Sequence, residues 1–133
     1  MTTSSPQLPL LLDTGIFSLF LKRTDSRKAL YFPDMEGHIL AISFVSVGEL
    51  YRWPIERRWG QRRIADLEDH MRRVVVLPWH DSVARQWARI MAETPDRGQN
   101  DAWIAACAII YGCTLVTDDH KFQSIRGLTV ITH

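Results

Sequence analysis

Asp13, Glu49, Asp101 and Asp119 each stand at a boundary between an apolar segment and the next element of the chain. Asp13 closes the run Leu8 to Leu12. Glu49 lies one turn into a helix expected after the segment Ile39 to Val45. Asp101 opens the helical stretch DAWIAACAII, and Asp119 comes after the strand-like TLVT. If these strands run parallel in one sheet, all four carboxylates reach its carboxyl edge, where open α/β folds place their sites. Such a cluster repels itself unless a cation stands within it. Carboxylates and waters without a neighbouring His or Cys select Mg2+ or Mn2+ over zinc. Ions of that kind generate hydroxide from bound water and stabilise phosphoryl oxygens during in-line displacement, so phosphodiester hydrolysis is the natural chemistry. In that scheme Asp13, Glu49 and Asp101 hold metal, and Asp119 completes the set directly or through water. The hydroxyls of Thr14, Ser46 and Thr117 are placed to orient waters or carboxylates behind them.

Each acid also has a local explanation. Asp13 and Asp119 suit helix N-caps, and Asp101 in a first turn suits the helix dipole. Glu49 has Arg52 as a surface partner. Two features favour a shared site. Glu49 is flanked by Val45, Val47 and Leu50, and Asp101 by Ala102, Ile104 and Ala105, where an ionised carboxylate is costly without compensation. In addition, all four recur at equivalent strand-to-helix boundaries, which independent capping does not predict.

The elements that must position them alternate between strand and helix. Leu8 to Leu12 reads as a buried strand of the parallel-sheet kind. A helix over Ile16 to Leu21 comes next, capped by Asp13 or Thr14. A second begins at Ser26 and ends at Pro33-Asp34 and Gly37. His38 to Phe44 is the second strand, succeeded by a helix from Ser46 to Arg58 that Pro54 bends. After Gly60, Ile64, Leu67 and Met71 share one helix face. Val74 to Leu77 forms a third strand, Ser82 to Glu93 a helix, and Thr94 to Gly98 a loop. The helix Ala102 to Tyr111 is apolar on nearly every side, hence central, and Gly112 caps it. Leu115 to Val116 and Thr129 to Ile131 supply two more strands around a short helix at His120 to Ile125. Five strands separated by helices imply a three-layer α/β/α fold with a five-stranded, mainly parallel sheet.

A chain of 133 residues suffices for one domain, and residues 1–133 are read as such, with 1–7 as a loosely held segment. With 46% hydrophobic and 23% charged residues it is neither disordered nor a membrane chain, and a net charge of +1 argues against a general polyanion coat. The start lacks the basic region of a signal peptide, and no apolar run approaches a membrane span. Cys107 and Cys113 make no metal knuckle and read as reduced thiols, which implies a cytoplasmic protein.

Taken in order, LLDTGIF, ISFVSVGELYRW, QNDAWIAACAI and LVTDDHKF resemble the motifs of PIN-domain ribonucleases, above all the VapC-type toxins of toxin–antitoxin pairs. The resemblance runs from Leu8 to about Ile131. It implies a PIN-like α/β/α domain, Mg2+- or Mn2+-dependent endoribonuclease activity, and inhibition by a cognate VapB-like antitoxin. It also implies a homodimer that meets operator DNA only through the antitoxin. Asp13, Glu49 and Asp101 match the first three acidic positions of the family. Asp119 matches the fourth by its T-x-D spacing, with Asp118 as the adjacent alternative. Gly15 stands where members often have Asn or Ser, and Lys121 where many carry Asp.

Arg52, Arg57, Arg58, Arg62, Arg63, Arg72 and Arg73 crowd the middle helices, a face suited to RNA phosphates or to an antitoxin. It is also explicable as a solvated surface in which Arg62 pairs with Asp66. Arg97 and Gln99 lie just before Asp101 and are candidates for RNA contact. Trp103 is expected in the core. Three rivals remain: a phosphatase-like hydrolase, a receiver-like phospho-acceptor and a catalytically inert PIN fold that only binds a partner. The receiver pattern requires paired acids after strand one and a late Lys, and a dehalogenase-type phosphatase requires Asp-x-Asp; neither is present. The inert module is expected to lack an acidic position, whereas all four are kept.

Overall fold

Leu10, Leu11 and Leu12 form β1, with Leu11 and Leu12 inaccessible to solvent. A strand apolar on both faces belongs in the middle of a parallel sheet, and there it lies, in the order β3-β2-β1-β4-β5 with every pairing parallel. The other strands are β2 (Leu40–Ser43), β3 (Val75–Leu77), β4 (Thr114–Val116) and β5 (Val130–Ile131). The helices are α1 (Thr14–Phe17), α2 (Arg27–Met35), α3 (Phe44–Arg57), α4 (Gln61–Met71), α5 (Asp81–Glu93) and α6 (Gln99–Tyr111). Short 3-10 segments cover Ser18–Leu21 and His120–Ser124. This computed structural model describes residues 8–133, so the expectation for residues 1–7 lies outside the described residues. No helix among the described residues is long and apolar enough to cross a membrane.

The alternation of side chains along each strand divides the core in two. Leu11, Ala41 and Leu115 face α5 and α6, packing with Val83, Ile90, Ile104 and Ala105. Leu10, Leu12, Ile42 and Val116 face the other layer, packing with Phe17, Tyr31, Leu50 and Leu67. The result is the expected three-layer α/β/α architecture. Helix α6 is buried at Ala102 and from Ile104 to Ala108. Gly112 ends it at a φ of 70°, donating to the Ile109 carbonyl while Cys113 donates to that of Ala108. This paired closure needs the left-handed conformation that glycine tolerates, and it delivers the chain directly into β4. Cys107 and Cys113 are buried free thiols, and burial pushes that of Cys107 up to about 12.

Several boundaries differ from expectation: β1 begins at Leu10, the helix expected from Ile16 to Leu21 is α1 from Thr14 continued as a 3-10 segment, and three others have a clear local cause. Helix α2 runs through Pro33 to Met35, because its last turn closes with Glu36 donating to the Phe32 carbonyl at 3.0 Å. It begins after an Asp25 carboxylate that accepts the Arg27 amide, and the Ser26 side chain makes no cap. The second strand is shorter than His38 to Phe44: Ser43 stops it by turning its hydroxyl to the Ser46 amide, and Phe44 is already helical.

Candidate functional site

In this topology β1 is central, β2 and β4 flank it, and the carboxyl ends of all three open on one edge. Helix α6 returns antiparallel to the strands, so its first turn, with Asp101, lies at the same edge. Sequence positions far apart therefore meet.

Asp13 is the N-cap of α1. One carboxylate oxygen accepts the Ile16 amide at 2.8 Å, and the other accepts the hydroxyl of fully buried Thr117. The side chain is itself almost wholly buried. Burial raises its pKa from the usual 3.8 to about 6, against the pull of the two hydrogen bonds, and the charges of Asp118 and Asp101 push the same way. Asp101 is raised as well, chiefly by burial and then by Asp119 and Glu49, with Arg97 and Lys121 drawing it back. Each of the four acids therefore belongs to one electrostatic set.

Glu49 is held from the side of β2. The Thr14 hydroxyl donates to its Oε1 at 2.8 Å and, with its proton so engaged, accepts from the Ser46 hydroxyl at 2.8 Å. Ser46 is in turn fixed by Ser43, whose hydroxyl lies 3.4 Å away. Thr14, Ser46 and Thr117 thus touch the carboxylates or one another. Ser43, the foot of this chain of hydroxyls, carries no sequence signal beyond being a cap-compatible residue at a strand end.

The two acids of the last motif diverge. Asp119 caps the 3-10 segment by accepting the Lys121 amide at 2.9 Å, its own amide donates to Thr117 Oγ1 at 3.0 Å, and it lies beside Asp101. Asp118 instead pairs with Arg27 Nη1 at 2.6 Å, while the rest of that guanidinium grips Asp25. No motif or spacing in the sequence points to Arg27. A Cβ added at Gly15 would lie 3.5 Å from an Asp13 oxygen and 3.9 Å from Asp118, so glycine leaves the space between these acids open.

Thr117 is the joint of the arrangement, because one hydroxyl serves both Asp13 and the Asp119 amide. Thr117→Val removes a donor and an acceptor from a buried place. It is expected to cost about 2 kcal/mol of stability and to push the Asp13 carboxyl higher still. Thermal melts and a pH–rate profile displaced towards alkaline pH would record the two effects.

Next to the acids a cleft of about 740 Å3 is lined by Asp101, Asp119, Arg97, Lys121 and Ser124 among others. Arg97 spends one nitrogen on the Lys121 carbonyl and on Ser124 Oγ, at 3.0 and 2.8 Å. Gln99 is exposed at the start of α6. A separate apolar hollow of about 580 Å3, bordered by Phe20, Phe32, Met35 and Leu40, holds none of the four acids. The basic face of α3 and α4 is partly self-neutralised: Arg52 pairs with Glu56, Arg72 with Glu68 and Arg73 with Asp69, while Arg57 and Arg63 lie over Trp53 and Trp59. Asp66 turns to His70, and not to Arg62 as expected. Trp103 is half-buried, stacked on Trp87 at 4.9 Å.

Among the described residues no three acidic, histidine or cysteine side chains stand close enough to enclose a cation. Asp13, Glu49 and Asp119 are held by the chain's own donors instead. The donor set nevertheless fits a hard divalent ion: it is all oxygen, and burial leaves Asp13 and Asp101 raised, as acids short of a counter-charge are.

The family model of the PIN domain matches residues 10–128. This chain belongs to the PIN-domain family. Its sequence is 30% identical over 126 residues to Ribonuclease VapC2 of Haemophilus influenzae, spanning 91% of this chain and 95% of that protein. Among solved structures, VapBC-1 from nontypeable Haemophilus influenzae matches this PIN domain with a TM-score of 0.76 at 25% identity, over 92% of this chain and 96% of that one. DNA-bound VapBC from Salmonella typhimurium matches it with a TM-score of 0.81 at 24% identity, over 95% and 98%, a likeness of fold.

Proposed function

We propose that this PIN domain is a metal-dependent endoribonuclease toxin, with Asp13, Glu49, Asp101 and Asp119 holding Mg2+ or Mn2+ at the carboxyl edge of the sheet. The observation that carries the reading is the raised, nearly buried Asp13, coupled to Asp101, which is in turn coupled to Glu49 and Asp119. The bound ion would supply a hydroxide at neutral pH and charge stabilisation for the phosphoryl oxygens. The chain supplies orientation. Thr117 and the Ile16 amide fix both oxygens of Asp13, Thr14 fixes Glu49 with Ser46 behind it, and the Lys121 amide fixes Asp119. Arg27 holds Asp118 aside, which favours Asp119 as the fourth acid of the set.

The solved VapBC structures belong to a family of toxin–antitoxin systems, and the Salmonella one is bound to DNA. They support a cognate VapB-like antitoxin for this chain and a complex of the two that meets DNA; to that reading we add a homodimeric toxin that reaches operator DNA through the antitoxin. The purified chain should cut single-stranded RNA internally when given Mg2+ or Mn2+, and lose the activity in EDTA. Cutting at full rate in EDTA would exclude the metal mechanism. Metal binding with no cutting of any RNA would favour the inert partner-binding module.

A further inference from the structure

The cleft beside the carboxylates presents a polyanion with an electrostatic problem. Glu93, Asp96, Asp101 and Asp119 line it, against the cations Arg97 and Lys121. Ions held by the acids would offset part of this charge, but phosphates on either side of the scissile one would still pass over a negative rim. Of the two cations, Arg97 is half-buried and anchored through one nitrogen to Lys121 and Ser124.

Lys121 is different. Both of its peptide groups are tied down: its amide donates to Asp119 at 2.9 Å, and its carbonyl accepts from Arg97 at 3.0 Å and from Ser124 at 2.8 Å. The side chain is exposed on the cleft, and its charge is felt at Asp101. Among the described residues its ammonium makes no ion pair and no hydrogen bond. A fixed backbone carrying a free, compact charge with three donors is suited to a phosphate oxygen. No aromatic residue lines the cleft, so it offers no platform on which a base could stack.

We propose that Lys121 is a substrate-binding residue whose ammonium takes a backbone phosphate next to the scissile one, steadying single-stranded RNA over the carboxylates. This rests on the ribonuclease reading. It departs from the resembled motif, which often carries an acid at this position. Contact to a phosphate adds affinity without base choice and makes binding depend on salt.

The test is binding of a fluorescein-labelled single-stranded RNA, measured by anisotropy across a KCl series with Mg2+ present, in an Asp13→Asn background that stops cleavage. Lys121→Gln should weaken binding several-fold at low salt. It should also make the plot of log affinity against log salt shallower by about 0.7, the loss of one single-strand phosphate contact. Lys121→Arg should restore both. With Asp13 intact, Lys121→Gln should raise KM and leave kcat nearly unchanged. An unchanged slope and affinity in Lys121→Gln would overturn the inference alone and make the lysine a mere counter-ion to Asp101. A parent protein that binds no RNA at any salt would overturn the ribonuclease reading and this inference with it.

Discussion

Asp13→Asn is expected to abolish RNA cleavage and at the same time to stabilise the metal-free protein above pH 6. The two effects have one cause. Asp13 is placed where an ion is needed to balance it, and without the ion its charge is a burden. Its folded pKa of about 6 lies above the ordinary 3.8. The carboxyl therefore contributes stability that is fully present below the ordinary value and is lost as pH rises through about 6. The difference corresponds to up to about 3 kcal/mol, lost mostly between pH 4 and 6. Asparagine keeps the acceptor for the Ile16 amide, remains a good N-cap and carries no charge. The variant should show a flat stability profile over that window and melt above the parent at pH 8. Alanine discards the cap too and should give back about 1 kcal/mol. Loss of a residue that holds the metal should reduce cleavage by at least about a thousandfold, of the order of removing a principal electrostatic group. An Asn variant that melts below the parent at pH 8 would mean that Asp13 is a structural cap and no uncompensated ligand.

Much of this fold is legible because its three inner strands are short and largely buried on both faces. Leu10 to Leu12 and Leu115 to Val116 are short apolar runs, and α6 is Ala-rich on every side because it packs on the sheet. Local competition is harder to read. Pro33 signals a stop, yet a last turn closed by Glu36 and Phe32 outweighs the one amide that proline lacks. Around Ser43 apolar residues lie on both sides, Ile42 before and Phe44 after, and the serine hydroxyl's turn to the Ser46 amide decides where strand becomes helix.

The acids themselves are legible because a parallel sheet gathers the ends of its strands and the starts of its helices at one edge, whatever the sequence separation. Their partners are not. Arg27 and Asp118 are 91 residues apart and meet only in the folded chain, so nothing in the motif LVTDDHKF reveals which of its two aspartates is already neutralised. Likewise, i,i+4 spacing allows both Arg62–Asp66 and Asp66–His70. The choice falls to the rotamers of a half-buried His70 stacked on Phe20. Short-range rules enumerate such pairs; packing selects among them.

Divalent metal should stabilise this protein, and do so far more at pH 8 than at pH 5. Protons and metal compete for the same oxygens: below about 6 Asp13 is largely protonated, and the raised Asp101 moves in the same direction. An ion at a hundred times its dissociation constant adds about 2.7 kcal/mol to the folded state, so Mg2+ or Mn2+ at saturation should lift the melting temperature by several degrees at pH 8. At pH 5 the same concentration should achieve a small fraction of this, since the ion must first displace a proton. Activity should trace the same curve, rising with pH through about 6 and reaching its plateau at lower pH when metal is raised, because mass action then favours the ionised set. Calorimetry of metal binding across pH would register proton release near pH 6 and little at pH 8. The same titration on Asp13→Asn separates the acids. If Asp13 carries the linkage, the proton release should fall sharply, leaving the smaller part that belongs to Asp101. Equal stabilisation at pH 5 and pH 8 would place the ion elsewhere, because no ligand with the burial of Asp13 can bind metal without first losing its proton.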